Sequence, residues 1–111
     1  MEMIVYKDLT VSQLTHIFSE NYPLLKIEIY HCGEEMSHDC FHTLHEISNM
    51  KNPQNFTILP EMSFSNIEEI FWEKLGLQVV VFRKIRNEWV PTSVMGNYTL
   101  EHQNQVTEGV F

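Results

Sequence analysis

The chain is short of cysteine, glycine and basic residues, and it has no long apolar run. Its 111 residues hold two cysteines, four glycines and seven Lys plus Arg, against fifteen Asp plus Glu. Each shortage excludes something. The chain opens Met1-Glu2-Met3-Ile4-Val5-Tyr6-Lys7, an acid and then only a short apolar run, so no secretory signal is expected. Two cysteines in a non-secreted chain read as reduced thiols rather than a bridge. No run approaches the roughly 18 apolar residues that a bilayer requires, so the expectation is a soluble, cytoplasmic protein with no membrane partner. A net charge of −8 and a pI near 5.1 repel phosphate backbones, so nucleic acid is not an expected partner. The glycines are scattered singly and build no phosphate-cradling loop.

What the chain does have is apolar mass. Hydrophobic residues make up 43%, enough to fill the core of one domain over 1–111 without disulfide staples. Those residues fall into a repeated pattern. In Leu9 to His31, Thr10 and Gln13 have capping-box spacing, and Leu9 and Leu14 occupy the two hydrophobic-staple positions. Val11, Leu14, Ile17, Phe18 and Tyr22 recur at helical spacing until Pro23 stops the run. Leu25, Ile27 and Ile29 then alternate with Lys26, Glu28 and Tyr30, as in a half-buried strand.

Met62 to Arg83 follows the same plan. Ser63 and Asn66 form a weaker box, and Met62 and Ile67 the staple. Phe64, Ile67, Ile70, Phe71 and Leu75 give the helical stripe. Gly76 supplies a left-handed stop, and Leu77, Val79 and Val81 alternate in a strand. One extra residue near Pro23-Leu24 keeps the two copies in register. Residues 3–7 and Phe56-Thr57-Ile58-Leu59 precede the two helices as matching short strands.

The order strand, helix, strand, given twice, predicts an α+β protein with an internal repeat over about 3–47 and 56–104. The expected arrangement is ferredoxin-like: duplicated β-α-β units in a split antiparallel sheet of about five strands, with both main helices on one face. Residues 32–55 would be a long connecting loop. Arg86-Asn87 is the turn of a hairpin that adds a strand from Trp89 to Val94. His42-Thr43-Leu44-His45 resembles Tyr98-Thr99-Leu100-Glu101, so the repeat extends to a third small element. The polar tail, Asn104 to Phe111, ends apolar.

The copies differ on one face. The outward positions Lys26, Glu28 and Tyr30 of the first become Gln78, Val80 and Phe82 in the second. That second set is too apolar to be left wet, so either the C-terminal segment or another subunit covers it. Val80, Phe82, Trp72 and Trp89 are the candidate interface residues, and homodimerisation is the expected use. Trp72 flanks an apolar helix stripe, where an indole is more often the edge of a core than a contact anchor.

Between the copies lies the one chemical lead. Four of the six histidines and both cysteines fall within residues 31–46, and no Lys or Arg occurs between Lys26 and Lys51. Thiolate, imidazole and carboxylate are the donors that zinc prefers. Cys32, His38, Cys40 and His42 are the candidate ligands, with zinc the possible cofactor. The spacing matches neither a paired Cys-x2-Cys set nor His-Glu-x-x-His, and an exposed loop that happens to carry these residues explains it better. Cys40 beside imidazoles also suggests a nucleophile, but no oxyanion-hole motif accompanies it. Glu68 and Glu69 are adjacent on a helix and point apart, as solvated acids do. Arg83, Lys84 and Arg86 form one basic spot, suited to hairpin solubility unless Trp89 stacks beside it.

Thr10 to Leu14, the run Leu75 to Lys84, Trp89, and Tyr98 to Asn104 together resemble an uncharacterised family of short Bacteroidota proteins. The resemblance spans both repeats and the hairpin through structural rather than catalytic motifs. It implies a cytoplasmic bacterial protein and no particular activity, and it does not extend to the His/Cys stretch. The functional expectation is a small non-enzymatic interaction or assembly module. The alternative is a metal-binding protein using residues 31–45.

Overall fold

The structure is a computed structural model, and it describes residues 2–31, 34–35, 40–91 and 99–100. Among them are β1 (Met3–Val5), α1 (Val11–Asn21), β2 (Leu25–His31), β3 (Glu34–Glu35), α2 (Leu44–Ile47), β4 (Phe56–Ile58), α3 (Phe64–Leu75), β5 (Gln78–Ile85) and β6 (Glu88–Pro91). Helices and strands mix along the chain, every strand pairing is antiparallel, and the class is α+β.

The helices start where their caps dictate. Thr10 Oγ1 accepts from Gln13 N–H at 3.0 Å, and Thr10 N–H donates to Gln13 Oε1 at 2.9 Å. Ser63 and Asn66 repeat this at 3.1 and 3.3 Å, and Thr43 with Glu46 repeats it a third time on α2. Each box satisfies two backbone donors that the first helical turn leaves without an intrahelical partner. Val11, Leu14 and Phe18 of α1, and Phe64, Ile67, Phe71 and Leu75 of α3, are buried as the stripes require.

Strand pairing departs from expectation. One ferredoxin-like sheet of about five strands would set β5 beside β1 and β4 beside β2. The described strands instead form two sheets, β1-β4 and β3-β2-β5-β6. β1 pairs with β4 and β2 with β5, each joining a strand of the first half to one of the second. Glu28 lies opposite Val80 and Ile4 opposite Thr57, so both pairings are centred on positions matched in sequence. Period-two alternation settles which face of a strand is buried and leaves its neighbour open, which is why the pairing was not legible.

Bonds of the first half recur at the matched positions of the second. Leu9 N–H donates to Tyr6 O at 3.1 Å and Met62 N–H to Leu59 O at 3.0 Å. Leu44 N–H donates to Leu9 O at 2.9 Å and Leu100 N–H to Met62 O at 3.0 Å, and both leucine side chains are fully buried.

Buried residues from both sheets and all three helices meet in one core cluster. Leu25, Ile27, Ile29, Val79 and Val81 face it from the four-stranded sheet, and Met3, Val5, Phe56 and Ile58 from the smaller one. Phe56 meets Phe71 edge to face, with ring centroids 4.9 Å apart. Within 32–55, the stretch expected as a connecting loop, the described residues include β3, α2 and a clip on α3. Ser48 Oγ donates to Leu75 O, Asn49 Nδ2 to Gly76 O at 3.1 Å, and Gln54 N–H to Lys74 O at 3.0 Å. These donors satisfy carbonyls that the end of a helix leaves without an intrahelical partner.

Candidate functional site

The core-facing residues of β2 and β5 alternate with Lys26, Glu28, Tyr30, Gln78, Val80, Phe82 and Lys84. Because side chains alternate across a strand, these line the opposite, outer face. The register sets Lys26 opposite Phe82, Glu28 opposite Val80 and Tyr30 opposite Gln78. On the other side of β5, β6 places Trp89 opposite Lys84 and Pro91 opposite Phe82. The polar outward set of the first half and the apolar set of the second are therefore interleaved on one face.

Lys26 is the hub of this face. Its Nζ lies 5.1 Å from the Phe82 ring centroid and 5.4 Å from that of Trp89, and it pairs with Glu28 Oε2 at 2.9 Å. Lys84 Nζ stands 5.9 Å from the Trp89 centroid. Ammonium groups at this range are held by the ring quadrupole, by about 0.5–1 kcal/mol each where solvent reaches them. Tyr30 Oη adds a long bond, 3.4 Å, to Glu28 Oε1. Val80 and Phe82 are half-buried, and Trp89 keeps 38% of its surface open. Among the described residues the cover is partial: β6 flanks Phe82 and the Lys26 side chain reaches across to it, while most of the C-terminal segment expected as a possible cover lies outside the described residues.

Of the four expected interface residues, the structure brings Val80, Phe82 and Trp89 onto this face. Trp72 is elsewhere. It lies on α3, whose buried stripe packs on the core side of the sheet, and it is 63% exposed there beside exposed Glu68, Glu69 and Glu73. Glu68 stays exposed as a residue, yet partial desolvation of its carboxyl raises its pKa. Sequence reasoning set Lys26 and Glu28 in outward positions and raised Trp89 beside the basic spot that holds Lys84, but named none of the three as a site residue. Lys26 became visible only through a strand pairing that joins residues far apart in the chain, whereas the link from Lys84 to Trp89 was within reach of the hairpin already assigned.

Cys32 and His38, two of the four expected zinc ligands, lie outside the described residues. Cys40 is half-buried and packs against the core cluster. His42 is exposed, with Nδ1 3.6 Å from Glu46 Oε2. Among the described residues no three His, Cys, Asp or Glu side chains come together to hold a metal ion. The segment carrying Cys40 and His42 has a structural use. Ser12 N–H donates to Cys40 O at 2.9 Å and Val11 N–H to His42 O at 3.0 Å. With Gln13 N–H on Thr10, the first turn of α1 is satisfied by protein groups and offers its donors to no anion. The Thr43 backbone and side chain, followed by His42, hold the Glu46 carboxyl below its usual range.

Glu68 and Glu69 are both exposed on α3, as solvated acids are. No helix among the described residues is long and apolar enough to cross a membrane. No family model, no curated protein and no solved structure matches this chain.

Proposed function

We propose that the protein is a small non-enzymatic interaction module that self-associates through the outer face of its four-stranded sheet. One observation carries this reading: Val80, Phe82 and Trp89 stand together on a face that the described residues of their own chain cover only in part. Aromatic rings on an incompletely covered face are the residue types enriched in interface hot spots. Sedimentation velocity over a rising concentration series tests it. Self-association that Phe82→Ser weakens, with the circular dichroism spectrum retained, supports the reading; a strict monomer at high micromolar concentration sinks it.

The resemblance to short Bacteroidota proteins, together with the two cysteines expected as thiols, supports a cytoplasmic bacterial setting for this module. Fractionation of the source cells tests that assignment, and recovery with the membrane or the medium would contradict it.

A further inference from the structure

Only seven Lys and Arg residues occur in a chain of net charge −8. Two of them, Lys26 and Lys84, share the outer face of the four-stranded sheet, while Arg83 alternates to its other side. Lys84 and Arg83 stand on β5, Arg86 in the β5-β6 turn, and Lys26 on β2 directly across from Phe82. The sequence separates Lys26 from Lys84, and only the β2-β5 pairing unites them. On the outer face, Lys26 and Lys84 flank the exposed Trp89. Glu28 on the same face pairs with Lys26 at 2.9 Å, so the face carries two lysines and one carboxylate beside Phe82 and Trp89, in a chain of net charge −8.

The complementary surface is present on the same chain. Glu68, Glu69, Trp72 and Glu73 are all exposed on α3. Glu69, Trp72 and Glu73 follow the i, i+3, i+4 spacing that shares one helix face, and Trp72 stands four residues after Glu68. This stripe lies on the far side of the core from the outer sheet face, so the two surfaces of one molecule cannot meet each other.

We infer that the occupant of the Lys26–Phe82–Lys84–Trp89 face is the Glu69–Trp72–Glu73 face of α3 on a second copy of this chain. The inference rests on the self-association proposed above and names the surface of the partner. Carboxylates of the arriving helix meet Lys26 and Lys84, and Trp72 packs against Phe82 and Trp89. Such a contact joins unlike surfaces, so it is heterologous, and it propagates into a ring or an open chain instead of closing as a two-fold dimer. Complementary charge sets the orientation of the docked copy and disfavours the like-on-like alternatives.

Charge reversal tests this. Lys26→Glu/Lys84→Glu and Glu69→Lys/Glu73→Lys are each expected to weaken self-association by about 10-fold or more, because either one sets like charges against each other across the contact. Mixing the two variants restores association in one-to-one proportion, since the reversed sheet face meets the reversed helix face and the unaltered helix face meets the unaltered sheet face. The helix variant changes exposed positions only, so it remains informative even where the sheet variant loses stability. Association that persists unchanged in the helix variant overturns the inference and leaves the sheet-face reading intact. Association lost in both variants with no rescue on mixing overturns it as well. A wild-type chain that stays monomeric removes both.

Discussion

Gly76 is the residue whose replacement the structure prices most directly. It ends α3 at φ +65°, in the left-handed region, with its N–H directed at the Phe71 and Trp72 carbonyls. A Cβ at this position would stand 3.0 Å from Met50 Cγ and 3.3 Å from Asn49 Cβ. Two costs follow for Gly76→Ala. The left-handed conformation of a residue with a Cβ costs about 1–2 kcal/mol. The Met50 thioether chain is flexible and yields cheaply, but Asn49 is held by its bond to Gly76 O at 3.1 Å. Moving Asn49 strains the clip that also carries Ser48 onto Leu75 O, and losing one such bond adds about 1 kcal/mol. The expected total is about 2–3 kcal/mol by these two terms. Urea unfolding followed by circular dichroism reads it as a lower midpoint at unchanged slope. Gly76→Asn serves as the comparison, because Asn tolerates the left-handed region better while introducing the same Cβ. A loss below about 0.5 kcal/mol for Gly76→Ala refutes the reasoning, since the conformational term alone exceeds it.

Other outcomes are expected elsewhere. Thr10→Ala and Ser63→Ala should each cost about 1 kcal/mol in urea unfolding by removing the side-chain acceptor of a capping box, and a loss confined to one site would contradict the matched geometry. Thr43→Ala should destabilise the chain with a pH signature. The depressed Glu46 pKa contributes stability that is present above the unfolded value and lost as pH falls through the folded one, so the gap between variant and wild type narrows in acid. A gap of constant size from neutral pH into the acid range would remove that explanation. Glu68 has the opposite sign: its raised pKa penalises the charged form, so Glu68→Gln raises the melting temperature at neutral pH and leaves it unchanged in acid, where both states are protonated. Lys26→Met removes the charge over Phe82 and Trp89 while keeping an apolar stem. Its fluorescence should differ from that of wild type because Trp89 loses an ammonium 5.4 Å away, and an identical emission spectrum would contradict the contact.

Much of the local structure was legible in the sequence because local physics writes it there. A Thr or Ser three residues before a Gln or Asn announces a box, and each of the expected boxes at Thr10 and Ser63 is formed. Gly76 stops its helix with positive φ, and Arg86-Asn87 turns the hairpin with both φ angles positive, as a two-residue turn of the primed type demands. Neighbour choice was not legible. Nothing in Ile27, Ile29, Val79 or Val81 says that β2 pairs with β5, because each strand shows the same alternation whichever strand lies beside it. The candidate site divides along the same line. Val80, Phe82 and Trp89 were visible as apolar groups in outward positions. Lys26 looked like an ordinary solvated residue until the pairing laid it over Phe82 and Trp89. Ser48 and Asn49 gave no sign of their role, since the carbonyls they satisfy belong to a helix end 27 residues further on.

The outer sheet face as a binding surface is tested most directly by concentration-dependent backbone and indole chemical shifts of the uniformly labelled chain. As the concentration rises from about 20 μM toward about 1 mM, a range that brackets weak transient contacts, shifts should move together at Lys26, Val80, Phe82, Lys84 and the Trp89 indole N–H. Movement at Glu69, Trp72 and Glu73 in the same titration would mark the helix as the docked partner. Shifts that stay constant over the whole face across that range would contradict the account.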